Sequence, residues 1–501
     1  MAKFDIERLL QEEQDLGKVV AALQRGRLTP VPEHEKYIRQ LDPKLHDVMD
    51  TVKRPDRMVN VDSGSPEYGK TSLVRVTADD MQLSEKFRIE HVARIALAFQ
   101  RLIVKRAVGI TFGNPVKYKA RPEGDQEKAL YNAVMRVLKD NKEGPLNRRA
   151  ARQVYGMTEV AERWYLVEGK TPHRRYGGSE TPFKVRCVVL SPRFGDMLYP
   201  YFDDDRDLVA FSRQFRQKDE KGAEHVFFET LTADSFYLWQ TDGDGSQGSD
   251  WKPVEGYPRK NPYGKIPVIY GCQDEPDYED VQTLIDRLEK MLSNFADTND
   301  YFGNPKMVVK GRVDGFCKKG EAGAILEIDA DPNAGVDMLS WDQAPDSIKT
   351  EYSTLKELIH TITQTPDISW DSVKGLNVSG VALELMFMDA VLKVKDKEEI
   401  WIDYLTRRIN LLKAMLSVID RASFGNAADT LMIEPEIVPY IILDRQTRAN
   451  IELSLAGNRQ LKSRETAMRD LGIDNVEAEM EAIRKEEEED GMFDQGEPTM
   501  A

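Results

Sequence analysis

The segment Gly64-Ser65-Pro66-Glu67-Tyr68-Gly69-Lys70-Thr71 has the spacing GxxxxGK[ST]. In such a loop the backbone amides cradle phosphates and the helix that follows points its positive end at them. That chemistry requires a strand before the loop and a helix after it. Here Ser72-Leu73-Val74-Arg75-Val76 alternates as a β-strand does, and Pro66 removes one loop amide. The second, acidic motif of such sites is also missing, because Val268-Ile269-Tyr270-Gly271 reaches Asp274 only after a turn. The expectation is an exposed loop between two short strands, with nucleotide binding as the alternative.

The remaining chemistry-bearing residues are scattered. His34, His46, His91, His173, His225 and His360 form no HxH or HxxxH pair, so no metal set or catalytic triad is visible. Asp203-Asp204-Asp205 lacks the glycine and spacing of a calcium loop and reads as a solvated acidic turn. Cys187, Cys272 and Cys317 are odd in number and far apart, which excludes a disulfide framework or a CxxC metal site and fits a reducing compartment. No catalytic residue, metal or cofactor is expected.

Positive charge is local in a chain of net charge −16. It gathers at Lys117 and Lys119, at Arg148-Arg149, at Arg174-Arg175, and at Lys306, Lys310, Arg312, Lys318 and Lys319. The overall acidity argues against a protein that grips DNA phosphates, yet suits a surface past which DNA slides. The last basic group reads either as a charged surface hairpin or as a contact for DNA or an acidic partner.

These residues must be positioned by the elements around them. At 501 residues, 41% hydrophobic and 31% charged, the chain reads as a globular protein of several domains. The longest apolar run, 89–104, is interrupted by His91, Arg94, Gln100 and Arg101, short of the roughly 20 apolar residues that span a bilayer. The acidic first residues do not read as a signal peptide. Periodicity predicts helices over 5–24 and 87–107, then a β-rich stretch with strands at 163–167, 184–190, 226–230 and 236–240. Helices follow over 277–301 and 346–365, enclosing a small β segment at 306–313, 324–328 and 336–341. A polar loop, 367–379, leads to a helical run over 380–422, then a strand at 430–434 and a helical tail whose end, from 485, is acidic and frayed.

That order of elements, with five local stretches, resembles the portal proteins of siphovirus-type tailed phages. The stretches are Gly109-Ile110-Thr111-Phe112-Gly113-Asn114-Pro115-Val116 after a helix, and Ile266-Pro267-Val268-Ile269 before the first long helix. Within that helix come Leu284-Ile285-Asp286 and Phe295-Ala296-Asp297-Thr298-Asn299-Asp300. Ser379-Gly380-Val381-Ala382-Leu383 heads the longest helix, and Ser463-Arg464-Glu465-Thr466-Ala467-Met468 with 477–489 lies in the tail. Each motif alone is weak; five in order are hard to reach by coincidence.

The resemblance implies a helix-rich α+β portal fold, without enzymatic activity, in a ring that in the family usually has twelve copies. Its parts map to a wing (1–276), a stem helix (277–303), a clip (304–342), a second stem helix (343–365) and a tunnel loop (366–379). A long tunnel or wing helix (380–422), a wing return strand (423–443) and a crown with an acidic tail (444–501) complete it. The ring would sit at the capsid vertex of the virion, after assembly in host cytoplasm, as the conduit for packaging and ejecting double-stranded DNA. Asp371, Ser372, Lys374 and Asn377 of the tunnel loop would face DNA. Lys306, Lys310, Arg312, Lys318 and Lys319 of the clip would face terminase or a head–tail adaptor protein. Major capsid and scaffolding proteins are further implied partners, and a membrane is not. Family loops are often small and glycine-rich, so Trp370 departs from the pattern and reads as a packing anchor. Another ring-forming connector is the remaining alternative, although such adaptors are usually much smaller.

Overall fold

The computed structural model describes residues 6–60, 72–75, 81–84, 87–218, 222–246, 248–302, 306–310, 335–339, 345–367, 387–440, 453–454, 463–473 and 475–494. They belong to two compact units, 1–365 with 393–439 and 366–392 with 440–501.

The first unit opens with α1 (Ile6–Glu12), α2 (Leu16–Gln24) and α3 (His34–Leu41). The single helix expected over 5–24 is two helices. Asp15 accepts hydrogen bonds from the backbone N–H groups of Gly17 and Lys18, which caps a new helix instead of continuing the old one. Next come β1 (Arg57–Asn60), β2 (Ser72–Arg75), β3 (Met81–Ser84) and β4 (Phe87–Glu90), paired antiparallel as β1 with β4 and β2 with β3. The loop Gly64–Thr71 lies outside the described residues, but the element after it is strand β2, as its alternation predicts.

Three helices follow: α4 (Phe99–Phe112), then β5 (Lys117–Ala120), α5 (Asp125–Asp140) and α6 (Glu143–Met157). Helices α5 and α6 have no counterpart in the sequence reading. Helix α5 buries Leu130, Val134, Val137 and Leu138 on one stripe, with Asp125 and Glu127 in its positive first turn. In α6 the breakers Gly144 and Pro145 fall in the first turn, where a missing N–H breaks no intrahelical bond.

The β-rich stretch forms two sheets from β6 (Glu159–His173), β7 (Thr181–Leu190), β8 (Met197–Phe202), β9 (Leu208–Lys218), β10 (Glu224–Thr232), β11 (Ser235–Thr241), β12 (Lys252–Pro253), β13 (Arg259–Lys260) and β14 (Val268–Cys272). One sheet has the order β14-β6-β7; the other is β12-β11-β10-β9-β8 with β13 also on β11. The four expected strands lie inside β6, β7, β10 and β11. Alternation assigns the faces: Val160 and Trp164 of β6 turn to the helices, while Ala161 turns to the second sheet with Leu190, Phe211 and Leu231. Helices α1 and α2 cover the second sheet's other side through Ile6, Val19, Val20 and Leu23, in one cluster with Phe228 and Trp239.

The chain then runs through α7 (Gln282–Phe302), β15 (Lys306–Lys310), β16 (Gly335–Leu339), α8 (Pro345–Ile362) and α9 (Met388–Ile419), and β17 (Ile433–Glu436) returns to pair with β5. The expected strand at 430–434 is displaced because 427–430 close a helical turn. The expected strand at 324–328 lies outside the described residues. In the main core, Ile285 and Leu288 of α7 and Trp401, Leu405, Ile409, Leu412 and Leu416 of α9 pack with α4, α5 and α6. In the second unit α10 (Arg464–Leu471) begins at a Ser463 cap, and α11 (Val476–Asp494) is helical through the acidic run expected to fray. Glutamate's good helix propensity accounts for the difference.

Candidate functional site

Helices α7 and α8 pair, with the β15–β16 ribbon between them in sequence, so the groups that fix their roots matter most. Asp277, just before α7, is the centre of that fixing. Its side chain is 1% exposed, with Oδ2 2.9 Å from Lys393 Nζ and Oδ1 3.1 Å from Lys397 Nζ. Gln273 Nε2 donates to Asp277 Oδ1 at 3.1 Å, and its Oε1 accepts from Lys397 at 2.8 Å. Lys393 also donates to the carbonyl of Thr363 at 3.0 Å, just beyond α8. One buried cluster thus joins the start of α7, the end of α8 and α9 where it enters the first unit. Burial alone would push the Asp277 carboxyl up; the two lysines overcome that and hold it below the usual carboxylate range.

Farther along, Arg287 pairs with Glu351 at 2.8 Å. With the 277 to 363 closure, this shows the helices running antiparallel. Their seam is apolar, with Leu284, Leu288 and Leu292 on one side and Ile348, Tyr352, Leu355 and Ile359 on the other.

The outer face of α7 is held in a second way. The helix expected over 87–107 is corrected here: 87–90 pair as β4, 91–98 belong to no helix or strand, and only α4 is helical. Backbone N–H groups at every second residue of this strap donate to side chains at every fourth residue of α7. Leu97 donates to Glu289 Oε1 at 2.7 Å, Ile95 to Ser293 Oγ at 2.9 Å and Ala93 to Asp297 Oδ1 at 2.6 Å. Two extended residues advance about 6.6 Å and four helical ones about 6 Å, so the repeats stay matched over three rungs. Arg54 binds Asp297 at 2.7 Å, Asn294 at 2.9 Å and the Ala93 carbonyl at 2.9 Å. His46 Nδ1 meets Glu289 Oε1 at 2.7 Å, and its Nε2 meets the Gln40 carbonyl at 2.8 Å. Burial opposes charge on His46, but Glu289, the Gln40 carbonyl and Asp286 outweigh it and raise the imidazole's pKa.

A third cluster anchors the middle of α9. Arg408 is fully buried and grips Glu162 of β6 with Nε at 2.9 Å and Nη2 at 2.7 Å, while Nη1 donates to Asn147 at 2.7 Å. Two-pronged pairing of this kind fixes orientation as well as charge. None of these three clusters contains a nucleophile–base pair, and among the described residues no group of His, Cys, Asp or Glu could hold a metal ion.

Of the site residues expected from sequence, Lys306 and Lys310 occupy the two ends of β15, opposite Leu339 and Gly335. Arg312, Lys318, Lys319, Asp371, Ser372, Lys374, Asn377 and Trp370 lie outside the described residues, as does Cys317. Several other basic groups are engaged internally: Lys119 with Glu436 at 2.8 Å, Arg174 with Glu180 at 3.2 Å, Arg175 with Asp140 at 3.6 Å, and Arg148 with the Phe112 carbonyl at 3.3 Å. Asp203 makes a turn, accepting from the N–H groups of Asp205 and Asp207. Sequence reasoning gave Asp277, Glu289, Lys393 and Arg408 no role, and it named His46 and Asp297 only as a scattered histidine and part of a family-like stretch.

A family model described as "Phage portal protein, SPP1 Gp6-like" matches residues 88–491. A comparison with curated proteins found no match. Among solved structures, the neck of an empty GTA particle computed with C6 symmetry aligns with TM-score 0.39 and 9% identity, over 75% of this chain and 90% of that one. The neck of a native GTA particle computed with C12 symmetry aligns with TM-score 0.36 and 10% identity, over 75% and 88%. A chain from the virion of the native gene transfer agent particle gives 0.35 and 11%, also over 75% and 88%.

Proposed function

The chain belongs to the SPP1 Gp6-like family of phage portal proteins, and from that premise we propose that it forms a ring at the capsid vertex through which the genome is packaged and ejected. The family match from residue 88 to 491 carries this reading. The family is structural, and the clusters around Asp277, Glu289 and Arg408 have the chemistry of anchors, not of catalysis. In this reading α7 and α8 are the stem and 304–342 is the clip, whose Lys306, Lys310, Arg312, Lys318 and Lys319 meet terminase and later a head–tail adaptor. Residues 366–379 face the duplex with Asp371, Ser372, Lys374 and Asn377. One lysine per loop touches phosphate without holding it, because affinity grows with each phosphate neutralised. An acidic subunit, net charge −16, repeated around the channel would favour sliding over sticking.

Negative-stain images and light scattering of the purified protein test the proposal. Rings of about twelve copies are expected; monomers under all conditions would overturn it. Motor activity belongs, in this reading, to the terminase. Strand β2 stands where a phosphate-binding loop needs a helix, so ATP hydrolysis by the wild type should equal that of Lys70→Ala.

A further inference from the structure

The far half of α9 leaves a polar face that the core does not use. Asn410, Lys413, Ser417 and Val418 recur at helical spacing on α9 and, with Arg421 just beyond its end and Lys265 ahead of β14, line a depression of about 520 Å³. Lys265 and Asn410 also line a neighbouring hollow of about 700 Å³, walled by Leu208, Val209 and Ile266, so the two join as one groove. Lys265, Lys413 and Arg421 give the first hollow three cations against one carboxylate, Asp429. Among the described residues none of the three is in an ion pair. Lys413 is only 8% exposed, and its Nζ has the Leu431 carbonyl at 2.8 Å as its partner. A buried ammonium held by one carbonyl lacks the negative charge that normally compensates burial. Desolvation, followed by the nearby Lys265, disfavours its charged form in the same sense.

The groove therefore calls for an anion, and its shape selects among anions. Duplex DNA binds through extended tracks that neutralise many phosphates, and three cations in a concavity with apolar walls are not such a track. Carboxylates on a peptide fit better. This chain carries a run of that kind, Glu486-Glu487-Glu488-Glu489-Asp490, on α11, where Met480 and Ile483 add apolar side chains. We propose that the groove along α9 receives the acidic run of α11 from a second copy of the chain. The inference rests on the ring reading, since a head-to-tail contact of groove with helix is the heterologous kind that closes rings.

The test is a charge exchange in the full-length protein, read by mass photometry across protein and salt concentrations. Lys265→Glu with Arg421→Glu, both at exposed positions, should raise the concentration for half-maximal assembly about tenfold or more. Glu487→Lys with Glu488→Lys should do the same, and the four together should recover much of the loss. A photocrosslinker at Val418, in mixed light and heavy isotopic copies, should capture a peptide from 476–494 of the other copy. Wild-type assembly by the groove variant, or capture only within one copy, would overturn the proposal while leaving the portal reading intact. Binding of a 30-base-pair duplex that the groove variant alone loses would also overturn it, assigning the groove to phosphate. Absence of rings in the wild type would instead sink the portal reading.

Discussion

Asp277 joins the bases of α7 and α8 because two lysines, one carbonyl-linked to the end of α8, converge on a carboxylate with almost no access to water. Asp277→Asn would leave both ammonium groups without their counter-charge, so unfolding free energy should fall by about 3–5 kcal/mol, read from the urea midpoint. Acid should act in the same place. The folded-state pKa of Asp277 is depressed, so its contribution is present above the unfolded value, about 3.9, and is lost as pH falls through the folded value. His46 has the opposite sign. Its folded-state pKa is raised, so the Glu289 clamp contributes fully below about pH 6.5 and is lost as pH rises through the folded value. Hydrogen exchange at the Leu97 amide, which shares Glu289, should therefore quicken from neutral to mildly alkaline pH beyond the intrinsic rate. His46→Gln should abolish that excess.

At the scale of elements, the strap at 91–98 determines how α7 is held. Its three rungs depend on the matched advance of the strap and the helix, so removing the middle acceptor should loosen its neighbours. Ser293→Ala leaves the Ile95 N–H unsatisfied and should cost about 1–3 kcal/mol. Faster exchange at Ala93, Ile95 and Leu97 together, with α5 unchanged, would mark a local effect; change at Ile95 alone would show the rungs to be independent. The contact of β14 with α9 is similarly tight. A Cβ on Gly271 would lie 2.8 Å from the Tyr404 ring, so Gly271→Ala should destabilise by about 1–3 kcal/mol in thermal unfolding.

For the whole molecule, the anchors tie the bases of α7 and α8 to the rest of the first unit. If the protein is a conduit, Lys374→Ala should leave ring size unchanged in negative-stain images while altering the amount of DNA packaged in a terminase-driven reaction. Loss of rings in that variant would instead place Lys374 in assembly.

Local chemistry and short-range periodicity account for one part of this protein. Alternation at 72–76 ruled out the helix a phosphate loop needs, and helical spacing placed α7 and α8. The order of motifs from 109 to 489 pointed to the family. The other part depends on partners distant in the chain and emerges on folding. Residues 91–98 have a helix-like sequence but form no helix, because Glu289, Ser293 and Asp297 offer acceptors for three of their N–H groups from far along the chain. Asp277 and Lys393 look like ordinary surface charges until folding removes them from water together. Burial and long-range pairing are properties of the assembled chain, and no local window of sequence carries them.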